Sequence, residues 1–92
     1  MMHSFIATIE RSGDMDAAYV RVPINIKKEY GKGRLKVLAT FGGEPYSGSV
    51  VNMGVRNADG SVCYIIGLPQ AIRRKTGLSF GDRVAVTITP IL

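Results

Sequence analysis

The sequence contains a single cysteine, Cys63, and a single histidine, His3. One cysteine cannot form an internal disulfide, so we expect a protein of a reducing compartment, with the cytoplasm as its location. Residues 1–10 show no basic segment followed by an apolar core, and no apolar run approaches the roughly 20 residues needed to cross a bilayer. We therefore expect neither secretion nor contact with a membrane.

The scarcity of reactive side chains also argues against catalysis. His3 lies near the N-terminus and Cys63 in an apolar stretch, so no Ser-His-Asp or Cys-His arrangement can be assembled. We predict that Cys63 is a small buried hydrophobic residue. Asp14 and Asp16 lack further oxygen ligands for a hard cation, and Gly31-Lys32-Gly33 lacks the spacing of a phosphate-binding loop. We expect no enzyme, no metal and no cofactor.

Short β-type segments are what the sequence has in abundance. Its 92 residues, 46% hydrophobic and 21% charged, have room for one domain with one core. Eleven glycines separate runs rich in valine, isoleucine and threonine, which indicates several short strands joined by tight turns. We therefore predict an all-β fold in a single domain over residues 1–92.

Apolar alternation and turn residues give the predicted elements. Phe5, Ala7 and Ile9 share one face of the first strand. Pro23 ends the second strand because proline has no N–H for a central ladder, and a short helical segment follows until Gly31. The predicted strands are residues 5–10, 18–22, 35–41, 47–53, 62–66 and 84–89, with a helical segment at 24–30 and turns at 42–45 and 57–60.

The sequence repeats itself around two prolines. Aligning Pro23 with Pro69 places residues 19–31 beside residues 65–77. We predict two units, about residues 18–41 and 64–89, each made of a strand, a proline, a helical turn and a returning strand. One such unit cannot bury its apolar face alone, so the two would pack around a pseudo-two-fold axis and close a small barrel. A monomer is the predicted assembly, with a symmetric homodimer as the alternative.

The second unit resembles a known half-barrel. Its strand, Pro69, a helical turn rich in isoleucine and arginine, and Gly81-Asp82-Arg83 before the next strand resemble the swapped hairpin of bacterial AbrB-type transition-state regulators and antitoxins. In those proteins two chains each contribute one half. The first unit departs from this pattern, because Gly31-Lys32-Gly33-Arg34 lacks the aspartate that Asp82 provides.

Nearly the whole sequence, from the Phe5 to Ile9 strand through Pro23 to the last strand, is similar to the uncharacterised bacterial domain-of-unknown-function family 1905. This resemblance implies a double-split barrel whose activity is unknown. Members are often joined to a C-terminal segment of the bacteriocin-protection, OmpD-associated type. The resemblance therefore also implies a second function hypothesis, a protein-interaction or small-ligand barrel associated with bacterial stress or bacteriocin protection.

Basic residues are the one set that supports a more specific hypothesis. The net charge of +5 favours a polyanionic partner, because clustered cations release counterions from phosphate backbones. We hypothesise a nucleic-acid surface to which both units contribute, and a merely solvated polar face is the alternative. The candidate residues are Lys27, Lys28, Lys32, Arg34 and Lys36 in the first unit, and Arg73, Arg74, Lys75 and Arg83 in the second.

Overall fold

Two short helices interrupt seven antiparallel strands in the computed structural model, which describes all of residues 1–92. The predicted fold class, all-β with two short helical turns, is confirmed. No helix has the length and apolar character needed to cross a membrane. The elements are β1 (His3–Thr8), β2 (Glu10–Arg11), β3 (Ala18–Val22), α1 (Ile26–Tyr30), β4 (Leu35–Phe41), β5 (Glu44–Val51), β6 (Tyr64–Leu68), α2 (Gln70–Thr76) and β7 (Arg83–Pro90).

One bent segment closes the sheet on itself. The strands follow the order β1-β7-β4-β5-β6-β3-β2, and β1 and β2 are separated only by Ile9. The Ile9 N–H donates to the Asp82 carbonyl at 2.8 Å, on the β7 side, whereas the next residue, Glu10, pairs with Tyr19 of β3. The same segment therefore forms both edges of the sheet, and the barrel is nearly closed.

The barrel wall is split at two places. β1 has no ladder with β3, because pairing on this side of β3 stops at Glu10 and Tyr19. β5 pairs with β6 only through Val50 and Val51, so its first residues lack a partner on that side. These two gaps in a nearly closed barrel fit the double-split barrel that the family resemblance implies.

The barrel interior is an apolar core. Its 17 clustered residues carry no charged side chain, and Tyr64 is the one among them with a hydroxyl group. Each helix contributes one buried isoleucine, Ile26 from α1 and Ile72 from α2, to the ends of this core. Alternate residues of β4 are buried, as the predicted inward and outward pattern requires.

The two predicted units pair with each other. Val20 of β3 lies opposite Ile66 of β6, and Ala39 of β4 lies opposite Ile88 of β7. These are the antiparallel registers that a two-fold axis between the partner strands would give. The internal repeat itself stays an interpretation of the sequence.

β5 differs from its prediction, since it runs from Glu44 to Val51 instead of from 47 to 53. Gly42 and Gly43 both have positive φ, and they alone form the turn, so that Phe41 already pairs with Glu44. Pro45 was expected in the turn but lies in the strand. The backbone groups of the even-numbered residues of β5 form the hydrogen bonds to β4, so those of Pro45 point to the other side of the strand. That side has no partner strand at Pro45, so the missing N–H costs no hydrogen bond.

β6 begins later than predicted, at Tyr64 instead of residue 62. Val62 forms an isolated bridge with Arg56, and the Cys63 N–H donates to the Val55 carbonyl at 2.9 Å. Residues 62 and 63 are therefore used by the hairpin around the predicted turn at 57–60, and not by the barrel.

Candidate functional site

The two helices lie at opposite ends of the barrel. β3 and β6 are antiparallel neighbours, with Val22 opposite Tyr64 and Ala18 opposite Leu68. α1 follows the Val22 end of this pair and α2 follows the Leu68 end. The basic residues of the two units are therefore separated by the length of the strands and do not lie side by side.

One end of the barrel carries cations without acidic partners. They lie on α1, in the loop after it and at the start of β4. We call them the basic end: Lys27, Lys28, Lys32, Arg34 and Lys36. All five side chains are exposed and none forms an ion pair. Glu29 is the one acidic residue between residues 22 and 43. The basic end is therefore a free, solvent-facing positive surface.

Capping at both ends holds the short helix α1 in place. The Asn25 side-chain oxygen accepts a hydrogen bond from the Lys28 N–H at 3.1 Å. Gly31 ends the helix in the left-handed region, at φ 69°, and its N–H donates to the Lys27 carbonyl. Ile26 anchors the helix in the core, so Lys27 and Lys28 are presented on a fixed backbone.

The opposite end mixes charges of both signs. We call it the mixed end, and its members are Arg73, Arg74, Lys75 and Arg83 with the acidic residues Asp16, Glu44 and Asp82. Lys75 lies 3.6 Å from the Glu44 carboxylate, and the Asp82 carboxylate accepts from the Ser79 N–H. Arg74 and Arg83 are exposed and unpaired. Acidic neighbours offset much of the positive charge here.

Arg73 is engaged within the protein. Its guanidinium donates to the Asp16 carboxylate and to the Asp16 carbonyl, each at 3.2 Å, and lies 5.1 Å from the centre of the Phe80 ring. Only 10% of the side chain is exposed, and its Nε has no hydrogen-bond partner. Of the two predicted basic pairs, Lys27 and Lys28 are thus free for a ligand, whereas Arg73 ties α2 to the loop before β3.

A groove runs beside the basic end. One cavity of about 340 Å³ opens at the split between β1 and β3, and a second of about 220 Å³ reaches Asn25 at the start of α1. Both are lined by Val22, Pro23 and Asn57, so they adjoin. We call the two cavities together the seam groove. Sequence reasoning missed it, because its walls come from segments distant in the chain.

An ion pair stands at the rim of the seam groove. The Arg21 Nε donates to the Glu10 carboxylate at 2.8 Å, and the Tyr19 hydroxyl donates to the same carboxylate at 3.3 Å. Burial of the ring, and then the negative charge of Glu10, raise the pKa of Tyr19. The hydrogen bond to Glu10 raises the pKa of Arg21, which therefore remains charged. Glu10 is thus neutralised locally by Arg21.

The residues considered for catalysis lie apart. Cys63 is buried, as predicted, at the wall of the seam groove. The His3 Nε2 lies 2.6 Å from the Tyr30 hydroxyl, in a contact between β1 and α1. Asp14 stays in the loop before β3, and no group of three or more histidine, cysteine or acidic residues lies close enough to hold a metal ion.

Comparison with known proteins identifies a family. The sequence model described as "Domain of unknown function (DUF1905)" matches residues 5–88, which is most of the chain from β1 to near the end of β7. No curated protein matches the sequence. The resemblance of each half to AbrB-type hairpins stays a resemblance. With a match over more than half of its length, the chain belongs to this family of domains of unknown function.

Proposed function

We propose that the domain is a non-enzymatic binding module that contacts the phosphates of a nucleic acid through its basic end. The observation that supports this most is the uneven distribution of charge: five exposed cations at one end have no acidic partner. At the other end, Lys75 lies near Glu44 and Arg73 is nearly buried against Asp16, which leaves only Arg74 and Arg83 unpaired. Phosphate oxygens are the ligands that such a surface favours.

The expected binding is mainly electrostatic. Lysine dominates the basic end, and lysines act on phosphates as point charges without a fixed geometry. Contacts of this kind position a protein on a phosphate backbone and do not distinguish base sequences. We therefore propose low sequence specificity and a strong dependence on salt.

Fluorescence anisotropy with labelled DNA and RNA tests this function. If most of the five cations contact phosphates, log K should fall linearly with log salt concentration, with a slope of about −3 to −4. A failure to bind any nucleic acid at low salt would refute the proposal. Binding that does not depend on salt would show that the basic end is not the contact surface.

Protein interaction is a second candidate function, favoured by the outer face of β1, β7 and β4. Ile6, Leu38 and Met2 are exposed there by 63%, 56% and 61%, beside the uncharged Thr40 and Thr87. Uncharged faces with exposed apolar side chains are typical of protein contacts. If the partner is a second copy of the chain, light scattering should give twice the chain mass. Ile6→Lys would then restore the monomer.

A further inference from the structure

We propose that the nucleic acid bound at the basic end is single-stranded, and that one unpaired base enters the seam groove. This inference rests on the proposed nucleic-acid function and specifies its ligand. The observations that carry it are the position of the groove, the chemistry of its walls, and two side-chain amides that each keep one atom without a partner in the protein.

The seam groove begins where the basic end begins. Asn25 lines the groove and caps α1, and its side-chain oxygen holds the Lys28 N–H. Lys27 and Lys28 therefore project from the turn that directly follows the groove wall. A nucleotide whose base lies in the groove would have its phosphates near these two lysines.

The larger cavity of the groove has walls suited to a planar ring. Its volume of about 340 Å³ is at the lower end of the roughly 300–1,000 Å³ that small-molecule sites occupy. The half-buried Phe5 ring, Ala7 and Val22 form apolar walls, while Thr8 and Arg21 bring polar groups. An aromatic ring and apolar side chains are the surroundings in which proteins hold an unstacked base.

Two amide side chains in the groove keep unused hydrogen-bonding atoms. The Asn57 amide nitrogen donates to Ser61 and to the Val62 carbonyl, which leaves its side-chain oxygen without a partner. The Asn25 oxygen accepts from Lys28, which leaves its side-chain nitrogen free to donate. One free acceptor and one free donor match the mixed donor and acceptor edge of a nucleobase.

A duplex does not satisfy this geometry. Its bases are stacked and paired, so one of them would have to be unpaired before entering the groove, at a cost of a few kcal/mol. A duplex is therefore restricted to contacts between its phosphates and the basic end. The structure thus predicts tighter binding of single strands than of duplexes at the same salt concentration.

The test compares oligothymidylate with a duplex of equal length, using wild-type protein and two matched variants. Ala7→Leu fills the larger cavity, whereas Ala71→Leu adds the same atoms at an exposed position of α2. We expect wild type and Ala71→Leu to favour the single strand by about tenfold or more. Ala7→Leu should lose this preference and keep its affinity for the duplex.

Cys63 provides a second measurement that needs no variant. Cys63 lines the same cavity but is buried, so native protein should react slowly with a small thiol reagent; bound oligothymidylate should slow this labelling further and the duplex should not. Equal affinities for oligothymidylate and the duplex, with no protection of Cys63, would overturn this inference and leave the proposed function standing. If neither nucleic acid binds at low salt, the proposed function fails, and this inference with it.

Discussion

Arg73 is the most constrained cation of the chain. Its guanidinium makes two hydrogen bonds to Asp16 and lies over the ring of Phe80, where Arg11 also lies at 4.6 Å. Hydrogen bonds that involve charged groups contribute about 1.5–3 kcal/mol when they are well formed. Arg73 therefore acts on the stability of the fold, and its neighbour Arg74, which is exposed, does not.

Arg73→Ala should lower the free energy of unfolding by about 1–3 kcal/mol, because it removes two hydrogen bonds to Asp16, leaves that carboxylate only its bond from Gln70, and uncovers Phe80. Arg74→Ala is the matched control and should change stability by less than about 0.5 kcal/mol. Urea unfolding of the three proteins measures both values. Equal stabilities for Arg73→Ala and wild type would show that the ion pair with Asp16 contributes nothing.

At the scale of elements, two glycines end the two helices. Gly31 and Gly77 adopt positive φ of 69° and 72°, a region in which residues with a Cβ atom are strained. A Cβ at Gly31 would meet no other atom within 4 Å, so only the backbone conformation requires glycine there. The position of α1, and with it Lys27 and Lys28, depends on this turn.

Gly31→Ala should cost about 1–2 kcal/mol of stability through the strained backbone alone. Gly33→Ala lies two residues away, has no positive φ and has open space around its Cβ position, so it should be neutral or stabilising by about 0.4–1 kcal/mol. Thermal unfolding of both variants measures the difference. A smaller loss for Gly31→Ala than for Gly33→Ala would contradict the capping role of Gly31.

Local patterns predicted some elements in full and others only in part. β3 and β4 have their predicted bounds because Pro23 ends the first and glycines precede and follow the second. β5 was displaced because a proline is tolerated at an unpaired edge, and edges are known only once the sheet order is known. For the candidate site, sequence identified the basic residues, but only the antiparallel register of β3 and β6 places them at opposite ends.

At the scale of the whole molecule, the barrel depends on Ile9. This residue is 1% exposed and lies where the first segment passes from β7 to β3. Ile9→Ala would leave a cavity at the closure point and should cost about 2–5 kcal/mol, a large share of the roughly 5–15 kcal/mol of a typical domain. Ile6→Ala, at a residue 63% exposed, is the control and should change stability little. Chemical unfolding measures the stability of both variants, and similar losses of stability would contradict closure of the barrel at Ile9.

The whole molecule also has a polarity of charge that no single element shows. The basic end has five unpaired cations, whereas the mixed end pairs two of its four cations with acidic residues. The electrostatic potential is therefore more positive at the α1 end, and a polyanion should approach that end first. This polarity is the central claim, and it requires that equal changes of net charge at the two ends have unequal effects.

Anisotropy of a labelled oligonucleotide at low salt, with two double variants of equal charge change, is the measurement that tests this claim most directly. Lys27→Glu with Lys28→Glu should reduce affinity by about a hundredfold or more and flatten the salt dependence. Arg74→Glu with Arg83→Glu, at exposed unpaired positions of the mixed end, should reduce affinity by less than about tenfold. Equal losses in the two variants would contradict the account, because binding would then depend on net charge alone and not on the basic end.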